Sequence, residues 1–421
     1  MTDDLETGPI TGPITGSETG ISVATQPAFY PPKQQPLMIR LIQSISYPLA
    51  RLLYQFWLSV ADEQVSQVKA VDQARLVYVC NHPTMEDGIS LFVLSARLGH
   101  LFHYVVAYES FKGLMGWFIQ RLGCYSIRRG LGDRASISQT LALLKSPQCR
   151  LVIFPEGGCS YQNDTIMPFR PGAVQLPMSV LARQAKKADS LDQVSDLYVV
   201  PLSLKYRYLS PMHQVIDSTL ARLEAKLNLS PVATDEYTRL RQVAHTVILN
   251  IENEANLSHD QSLDWNQRID RLKQVFIQKC EAALEIVPNL NSPMRERVYK
   301  VQALLEDAAI AKSEVVNESL YWNTVRLLNF DAIYDGYVAE SPTQERFLDT
   351  LTRLEREVFH IEHAQPKAPR RACFYIGEPI NLKDYLADYQ RDRTSTIEHL
   401  TAQLHQTMQS NLNKMASQKT P

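Results

Sequence analysis

Between residues 75 and 208 the sequence alternates short apolar runs with helical stretches, and this alternation constrains the fold more than any other feature. Five runs are short, rich in β-branched or aromatic residues and largely apolar, which is typical of strands in a sheet covered on both faces. These predicted strands are Leu76–Cys80, His103–Ala107, Cys124–Arg128, Leu151–Phe154 and Leu197–Leu204. The predicted helices between them are Gly88–Leu98, Phe111–Leu122, Arg134–Leu144 and Gly172–Gln184. The alternation predicts an α/β fold, with a mostly parallel or mixed sheet flanked by helices.

After Tyr208 the strand pattern stops, and apolar residues recur at helical spacing over a long stretch of the chain. The series that includes Leu240, Val243 and Val247 is one example, because these side chains fall on one face of a helix. Several such series follow one another. We therefore predict a large helical insertion at residues 210–370.

Strand character returns after the insertion, at Ala372–Ile376. A last amphipathic helix is predicted at Ser395–Met415, where apolar residues again recur on one side. These two elements belong with the α/β pattern that precedes the insertion. Residues 62–209 and 371–421 are therefore expected to form one domain that the insertion interrupts.

The N-terminal part of the sequence has two zones of different composition. Residues 1–36 are rich in glycine and proline and repeat Thr-Gly-Pro-Ile, which predicts a flexible tail. Residues 37–61 are the most apolar segment. Pro48 and Arg51 count against a membrane-spanning helix, so we predict an amphipathic helix on the membrane surface, with Phe56 entering the headgroup boundary. A helix docked on its own domain is the alternative.

Charge and cysteine content exclude several classes of protein. The net charge is −2, so the chain lacks the basic field of a dedicated nucleic-acid-binding protein, and we expect no nucleic-acid partner. Six cysteines without a CxxC pair fit neither a disulfide framework nor a zinc site. No basic segment followed by an apolar one marks a secretory signal near the start. We expect the protein on the cytoplasmic face of a membrane, bound peripherally or at the interface.

The first candidate for chemistry is the pair His82 and Asp87, which directly follows the predicted strand Leu76–Cys80. With four residues between them, the two side chains can meet if the chain turns into a helix. A carboxylate on one imidazole nitrogen stabilises the imidazolium and leaves the other nitrogen to take a proton, which is general-base chemistry. The same residues also fit an ordinary helix start, in which polar side chains accept hydrogen bonds from the free backbone N–H groups of the first turn.

Two further segments follow apolar strands. In the first, Glu156 precedes Gly157, Gly158 and Ser160, and glycines allow backbone to approach a ligand and leave amides free for an anion. In the second, a strand that starts near Gly123 ends in a pair of arginines, whose guanidinium groups suit phosphate recognition. Taken alone, an ordinary turn and surface salt bridges explain these two segments equally well.

Taken together and in this order, the segments resemble the glycerolipid acyltransferase family, which includes bacterial 1-acylglycerol-3-phosphate acyltransferases. The resemblance covers residues 75–208 and returns weakly at 374–380. It rests on the HX4D motif His82-x4-Asp87, the glycine-to-arginine segment, Phe-Pro-Glu-Gly at 154–157 and Val-Val-Pro-Leu at 199–202.

The resemblance implies transfer of a fatty acyl group from a thioester, acyl-CoA or acyl carrier protein, to the hydroxyl of a lysophosphatidic acid-like acceptor in phospholipid biosynthesis. It implies His82 as general base and Asp87 as its orienting partner, and neither a metal nor a cofactor. It further implies that the acceptor is bound by a set of nearby residues. These are Asn81, Arg128, Arg129, Glu156, Gly157, Gly158, Ser160 and Arg170.

The sequence departs from the family pattern at one important position. Many members continue Phe-Pro-Glu-Gly with Thr-Arg-Ser, whereas this chain has Gly158-Cys159-Ser160, so an arginine expected near the acceptor phosphate is missing. Arg128, Arg129 and Arg170 are the candidates to compensate. Glycerol 3-phosphate or another lysolipid therefore stays open as acceptor, and a lipid-binding scaffold without catalysis is the competing class.

Overall fold

The computed structural model describes residues 29–230, 235–306 and 314–417. The strands are β1 Phe56–Ser59, β2 Arg75–Cys80, β3 His103–Ala107, β4 Cys124–Ile127, β5 Arg150–Ile153, β6 Leu197–Tyr208, β7 Arg370–Ile376 and β8 Ile380–Asn381. The helices that precede β6 in the chain are α1 Pro36–Tyr54, α2 Asp62–Ala70, α3 Asp87–Leu98, α4 Gly113–Arg121, α5 Arg134–Lys145 and α6 Gly172–Ala185. Those that follow β6 are α7 His213–Lys226, α8 Glu236–Glu254, α9 Trp265–Ala283, α10 Met294–Leu305, α11 Glu314–Asp331, α12 Tyr337–Glu340 and α13 Gln344–Val358. The last two are α14 Leu386–Arg391 and α15 Arg393–Ser417.

The strands form one mixed sheet in the order β1-β7-β6-β2-β5-β3-β4, with β8 paired to β6. The pairs among β2, β3, β4, β5 and β6 are parallel, whereas β7 and β8 run antiparallel to β6. The predicted α/β fold with a mostly parallel or mixed sheet is confirmed. All five strands predicted between residues 75 and 208 are present, each within a few residues of its predicted bounds.

Strand β2 occupies the middle of the sheet, between β5 and β6. All of its residues are buried, as a run of apolar side chains covered on both faces requires. Separate apolar cores lie on the two sides of the sheet: Val77 belongs to one, and Leu76 to the other. The end of β2 is therefore held rigidly, which fixes the loop that follows it.

The described residues between β6 and β7 form seven helices joined by loops and include no strand, as the periodicity predicts. Helices α7 to α13 enclose an apolar core of their own, to which Leu220, Leu272 and Val298 contribute. Strand β7 then returns to the sheet beside β6 and carries the predicted segment Ala372–Ile376. The long final helix α15 packs against the sheet, so the chain on both sides of the insertion shares one sheet.

The amphipathic helix predicted at 37–61 ends earlier than expected. Helix α1 stops at Tyr54, where Gln55 has left-handed backbone geometry (φ 51°), and the chain continues as β1, parallel to β7. Phe56 is 1% exposed, so its predicted entry into the headgroup region is wrong. Its apolar ring is instead part of the core beneath the sheet. Among the described helices, none is both long and apolar enough to cross a bilayer.

Residues 1–28 of the predicted flexible tail lie outside the described residues. The remainder is fixed to the sheet, contrary to the prediction for residues 29–36. Tyr30 and Ser126 of β4 exchange hydrogen bonds of 2.9 and 3.0 Å, and the Tyr30 ring stacks on Phe111 at 5.1 Å between ring centroids. Paired backbone and a buried aromatic contact thus extend the ordered domain upstream of α1.

Candidate active site

The candidate site lies where β2 and β5 end, at the carboxyl edge of the parallel part of the sheet. Parallel strands that pair side by side bring the loops after them together, and here β2 pairs with β5 from Leu76 to Val79. The loop after β2 carries His82, and the loop after β5 carries Glu156 and the two glycines. The segments singled out in the sequence therefore meet because the sheet topology requires it.

His82 and Asp87 are in direct contact. Nδ1 of His82 lies 2.7 Å from Oδ2 of Asp87, and the Asp87 side chain is fully buried whereas that of His82 is 19% exposed. The imidazole ring stacks on Phe154 at 4.3 Å between ring centroids, which fixes its plane. No described residue forms a hydrogen bond with Nε2 of His82. The pair thus has a buried carboxylate behind an imidazole whose second nitrogen is left for another molecule.

Asp87 accepts three further hydrogen bonds that hold it in place. Oδ2 accepts from the Thr84 backbone N–H at 2.9 Å, and Oδ1 accepts from the hydroxyls of Thr84 at 2.8 Å and Tyr206 at 3.0 Å. Tyr206 in turn pairs with the Ser90 hydroxyl at 2.7 Å. A buried carboxylate is stabilised as the anion by such donors. The sequence analysis missed Tyr206, because nothing in the pattern of strand β6 indicates that its side chain reaches Asp87.

Glu156 supports the loop that carries His82. Its Oε1 accepts from the His82 backbone N–H at 2.7 Å and its Oε2 from the Met167 N–H at 3.1 Å. Burial raises the pKa of Glu156 to about 7, although both N–H donors and the nearby Arg295 work in the opposite direction. Glu156 therefore joins two loops at the edge of the sheet and changes its charge close to neutral pH.

Asn81 and Ser160, predicted as acceptor-binding residues, are both engaged by backbone. The Asn81 side-chain amide forms two hydrogen bonds with the backbone of Leu204, at 2.7 and 2.9 Å, and the residue is 1% exposed. The Ser160 N–H donates to the His82 carbonyl at 2.8 Å, and its hydroxyl lies 3.3 Å from the same oxygen. Both residues thus position the loop that carries His82.

The glycine pair lets other groups approach the loop after β5 closely. Gly157 has a left-handed backbone (φ 75°), and a Cβ there would lie 2.6 Å from the guanidinium carbon of Arg170. A Cβ on Gly158 would lie 1.8 Å from the Tyr299 hydroxyl oxygen, so no other residue fits without movement. Tyr299 belongs to helix α10 of the insertion. The insertion consequently packs directly on the candidate site.

Aromatic rings hold the predicted arginines near this loop. The guanidinium carbon of Arg129 lies 4.3 Å from the ring centroid of Tyr299, and that of Arg170 lies 5.8 Å from the same centroid. Arg128 is held differently, 4.3 Å from the centroid of Tyr108. Cation–π contacts of this kind fix a guanidinium group without using its N–H donors. Arg129 and Arg170 are thus brought together on one ring of the insertion, which sequence reasoning did not anticipate.

Other types of reactive centre find less support. Burial raises the pKa of the Cys159 thiol well above its usual value, which disfavours the thiolate that a cysteine nucleophile needs. Across the described part of the chain, no three His, Cys, Asp or Glu side chains gather as a set of metal ligands. The arrangement is suited to activating a hydroxyl of a bound molecule rather than of a side chain.

The α/β domain thus carries a histidine–carboxylate pair at the carboxyl edge of its sheet. Residues 60–205 match the model of the Acyltransferase family. The resemblance inferred from the four motifs is confirmed at this level. The family match supports a general role in transferring acyl groups from a donor to a lipid acceptor. A comparison with curated proteins finds no significant match.

Proposed function

We propose that the protein transfers a fatty acyl group from acyl-CoA or acyl carrier protein to the hydroxyl of a lysophosphatidic acid-like glycerolipid. The observation that carries the proposal is the contact of 2.7 Å between Nδ1 of His82 and the buried carboxylate of Asp87. Nε2 of His82 takes the proton of the acceptor hydroxyl as its oxygen attacks the thioester carbon. The thiolate of the donor leaves and takes up a proton, so the products are the acylated lipid and a free thiol.

The surroundings of the pair support this role for His82. Asp87 fixes the tautomer with the proton on Nδ1, and its negative charge stabilises the imidazolium that forms when Nε2 takes a proton. General-base catalysis of this kind contributes typically about 10²- to 10⁴-fold to a rate. Proximity of the two bound substrates supplies the remainder. The mechanism requires no covalent acyl-enzyme.

Arginines supply the complementary charge for an acceptor that carries a phosphate. Arg129 and Arg170 lie beside Gly157 and Tyr299, and their planar guanidinium groups form paired hydrogen bonds with phosphate oxygens. The phosphate of lysophosphatidic acid or of glycerol 3-phosphate fits this chemistry equally well. These two acceptors differ in their acyl chain, which an assay distinguishes.

A thiol-release assay tests the proposed function. Purified protein is mixed with acyl-CoA or acyl carrier protein as donor, and with lysophosphatidic acid, glycerol 3-phosphate or a lysophospholipid with a larger headgroup as acceptor. We expect thiol release that depends on the acceptor and is fastest with lysophosphatidic acid. Tight lipid binding without thiol release from either donor would instead favour the non-catalytic scaffold.

We also propose that the protein binds to the surface of a membrane through helices α1 and α4, which would give it access to a lipid acceptor. Leu37 and Leu41 on α1 are 88% and 69% exposed, and Leu114 and Trp117 on α4 are 88% and 52% exposed. Backbone hydrogen bonds join residues 33–35 to the end of α4, so the two helices adjoin. Exposed apolar side chains on adjoining helices favour insertion into the interface of a bilayer.

A further inference from the structure

Helix α10 of the insertion contributes a buried arginine to the glycine loop. Nη1 of Arg295 donates a hydrogen bond to the Gly158 carbonyl at 3.0 Å, and Nε donates to Asp331 at 3.0 Å. The Arg295 side chain is 6% exposed. Its contact with Gly158 places it next to Cys159, the position at which the Thr-Arg-Ser pattern has an arginine and this loop does not.

Part of this guanidinium group has no partner. Nη2 of Arg295 is buried, and no residue within 29–230, 235–306 or 314–417 accepts a hydrogen bond from it. The same holds for Nη2 of Arg170 and Nε of Arg129. A buried N–H without an acceptor costs about 1–3 kcal/mol, and more on a charged group. Three neighbouring arginines that each retain such a donor form a site that an oxyanion would satisfy.

Each of these arginines has a carboxylate nearby, but only one of the three pairs is hydrogen-bonded. Asp331 pairs with Arg295 at hydrogen-bond distance, but Glu296 lies 3.7 Å from Arg170, and Glu109 lies 3.7 Å from Arg129. These two longer contacts are beyond the normal range of a hydrogen bond. The donors of Arg129 and Arg170 therefore remain available for a ligand that offers several acceptor oxygens.

We propose that Arg295 binds the phosphate of the acyl acceptor together with Arg129 and Arg170, so that the insertion completes the acceptor site. The proposal rests on the proposed function, because the phosphate belongs to the acceptor of acyl transfer. It assigns a role in substrate binding to a helix outside the matched Acyltransferase domain. The ligand is a phosphate monoester, whose oxygens match three separate guanidinium groups.

Isothermal titration calorimetry of the full chain with glycerol 3-phosphate and with inorganic phosphate tests this site. A hydrogen bond to a charged group contributes about 1.5–3 kcal/mol, so R295Q is expected to weaken binding of both ligands by roughly 10- to 150-fold. The matched control is R297Q on the same helix. Arg297 is similarly buried but donates hydrogen bonds to Glu281, at 2.8 and 2.6 Å, and its loss is expected to leave phosphate binding unchanged.

Unaltered binding by folded R295Q would overturn the proposal, as would wild-type protein that binds neither ligand. Binding of inorganic phosphate alone would overturn the assignment to an acceptor. The proposed function fails separately if wild-type protein releases no thiol although Arg295 binds the phosphate. Conversely, active wild-type protein with unchanged binding in R295Q refutes only the role of Arg295.

A measurement on the wild-type protein covers the case in which R295Q does not fold. Hydrogen–deuterium exchange is recorded with and without glycerol 3-phosphate. We expect slower exchange in α10, Met294–Leu305, and no change in α8, Glu236–Glu254, which packs against α7, α9 and α13. Protection confined to residues outside the insertion would contradict the proposal.

Discussion

Replacing Asp87 by asparagine isolates the charge of the carboxylate from its shape. Oδ2 accepts from the backbone N–H of Thr84 and from His82, so the asparagine carbonyl is expected to occupy that position. The amide NH2 then replaces Oδ1, where both partners are hydroxyls, of Thr84 and Tyr206, that can rotate to accept. The D87N fold should therefore survive, with a loss of about 1–2 kcal/mol in the free energy of unfolding.

The loss of charge should reduce the rate strongly. Two unit charges about 4 Å apart interact by roughly 4 kcal/mol at an effective dielectric constant of about 20. Without Asp87 that stabilisation of the imidazolium of His82 is lost, and about 4 kcal/mol corresponds to a fall of roughly 10³-fold in kcat/KM. The measurement is the rate of thiol release from acyl-CoA with lysophosphatidic acid as acceptor.

The chain offers a matched control in a second histidine–aspartate pair. Nε2 of His100 lies 2.5 Å from Oδ1 of Asp72, away from the site and beyond the other end of β2. D72N is expected to leave kcat/KM within about twofold of the wild-type value, because no acyl transfer depends on it. A folded D87N protein that retains more than a tenth of the wild-type kcat/KM would refute the role assigned to the carboxylate.

Further predictions concern pH and the membrane. The pKa of Glu156 rises from 4.5 in the unfolded chain to about 7 in the fold, so the folded state binds the proton more tightly and the free energy of unfolding falls as pH rises through that window. The fall in the free energy of unfolding is of order 3 kcal/mol, and E156Q should remove it when unfolding by urea is measured across this pH range. The same dependence of unfolding free energy on pH in E156Q and wild type would contradict the argument that burial raises this pKa. L37E/L41E should reduce cosedimentation with anionic lipid vesicles at least tenfold. The control V287E/L290E alters residues of the insertion that are 85% and 79% exposed, and it should leave cosedimentation unchanged.

The fold was largely predictable because its strands are buried on both faces. Such strands appear as continuous apolar runs, as in β2, and their alternation with helices indicates the sheet directly. Strand β1 was not predicted, because it is four residues long and follows an apolar helix without a break in composition. Only the left-handed Gln55 and the pairing of Phe56 with Arg370 separate the two elements, and both depend on tertiary structure.

The candidate site was predictable where its residues are close in sequence. His82 and Asp87 meet because α3 begins at Asp87, and that spacing is visible in the sequence. Tyr206 and Arg295 reach the site from far along the chain, so no local pattern identifies them. Asn81 and Ser160 lie within the motifs but bond to backbone, since a sequence motif does not separate residues that position a loop from those that face a ligand.

The most direct test of the account is formation of phosphatidic acid from lysophosphatidic acid and acyl-CoA by wild-type protein and by H82N. Asparagine keeps a side-chain N–H that can donate to Asp87 but has no group that takes a proton at neutral pH. We expect H82N to remain folded and to form product at least 100-fold more slowly than the wild type. Product formation by folded H82N at the wild-type rate would contradict the assignment of His82 as the general base.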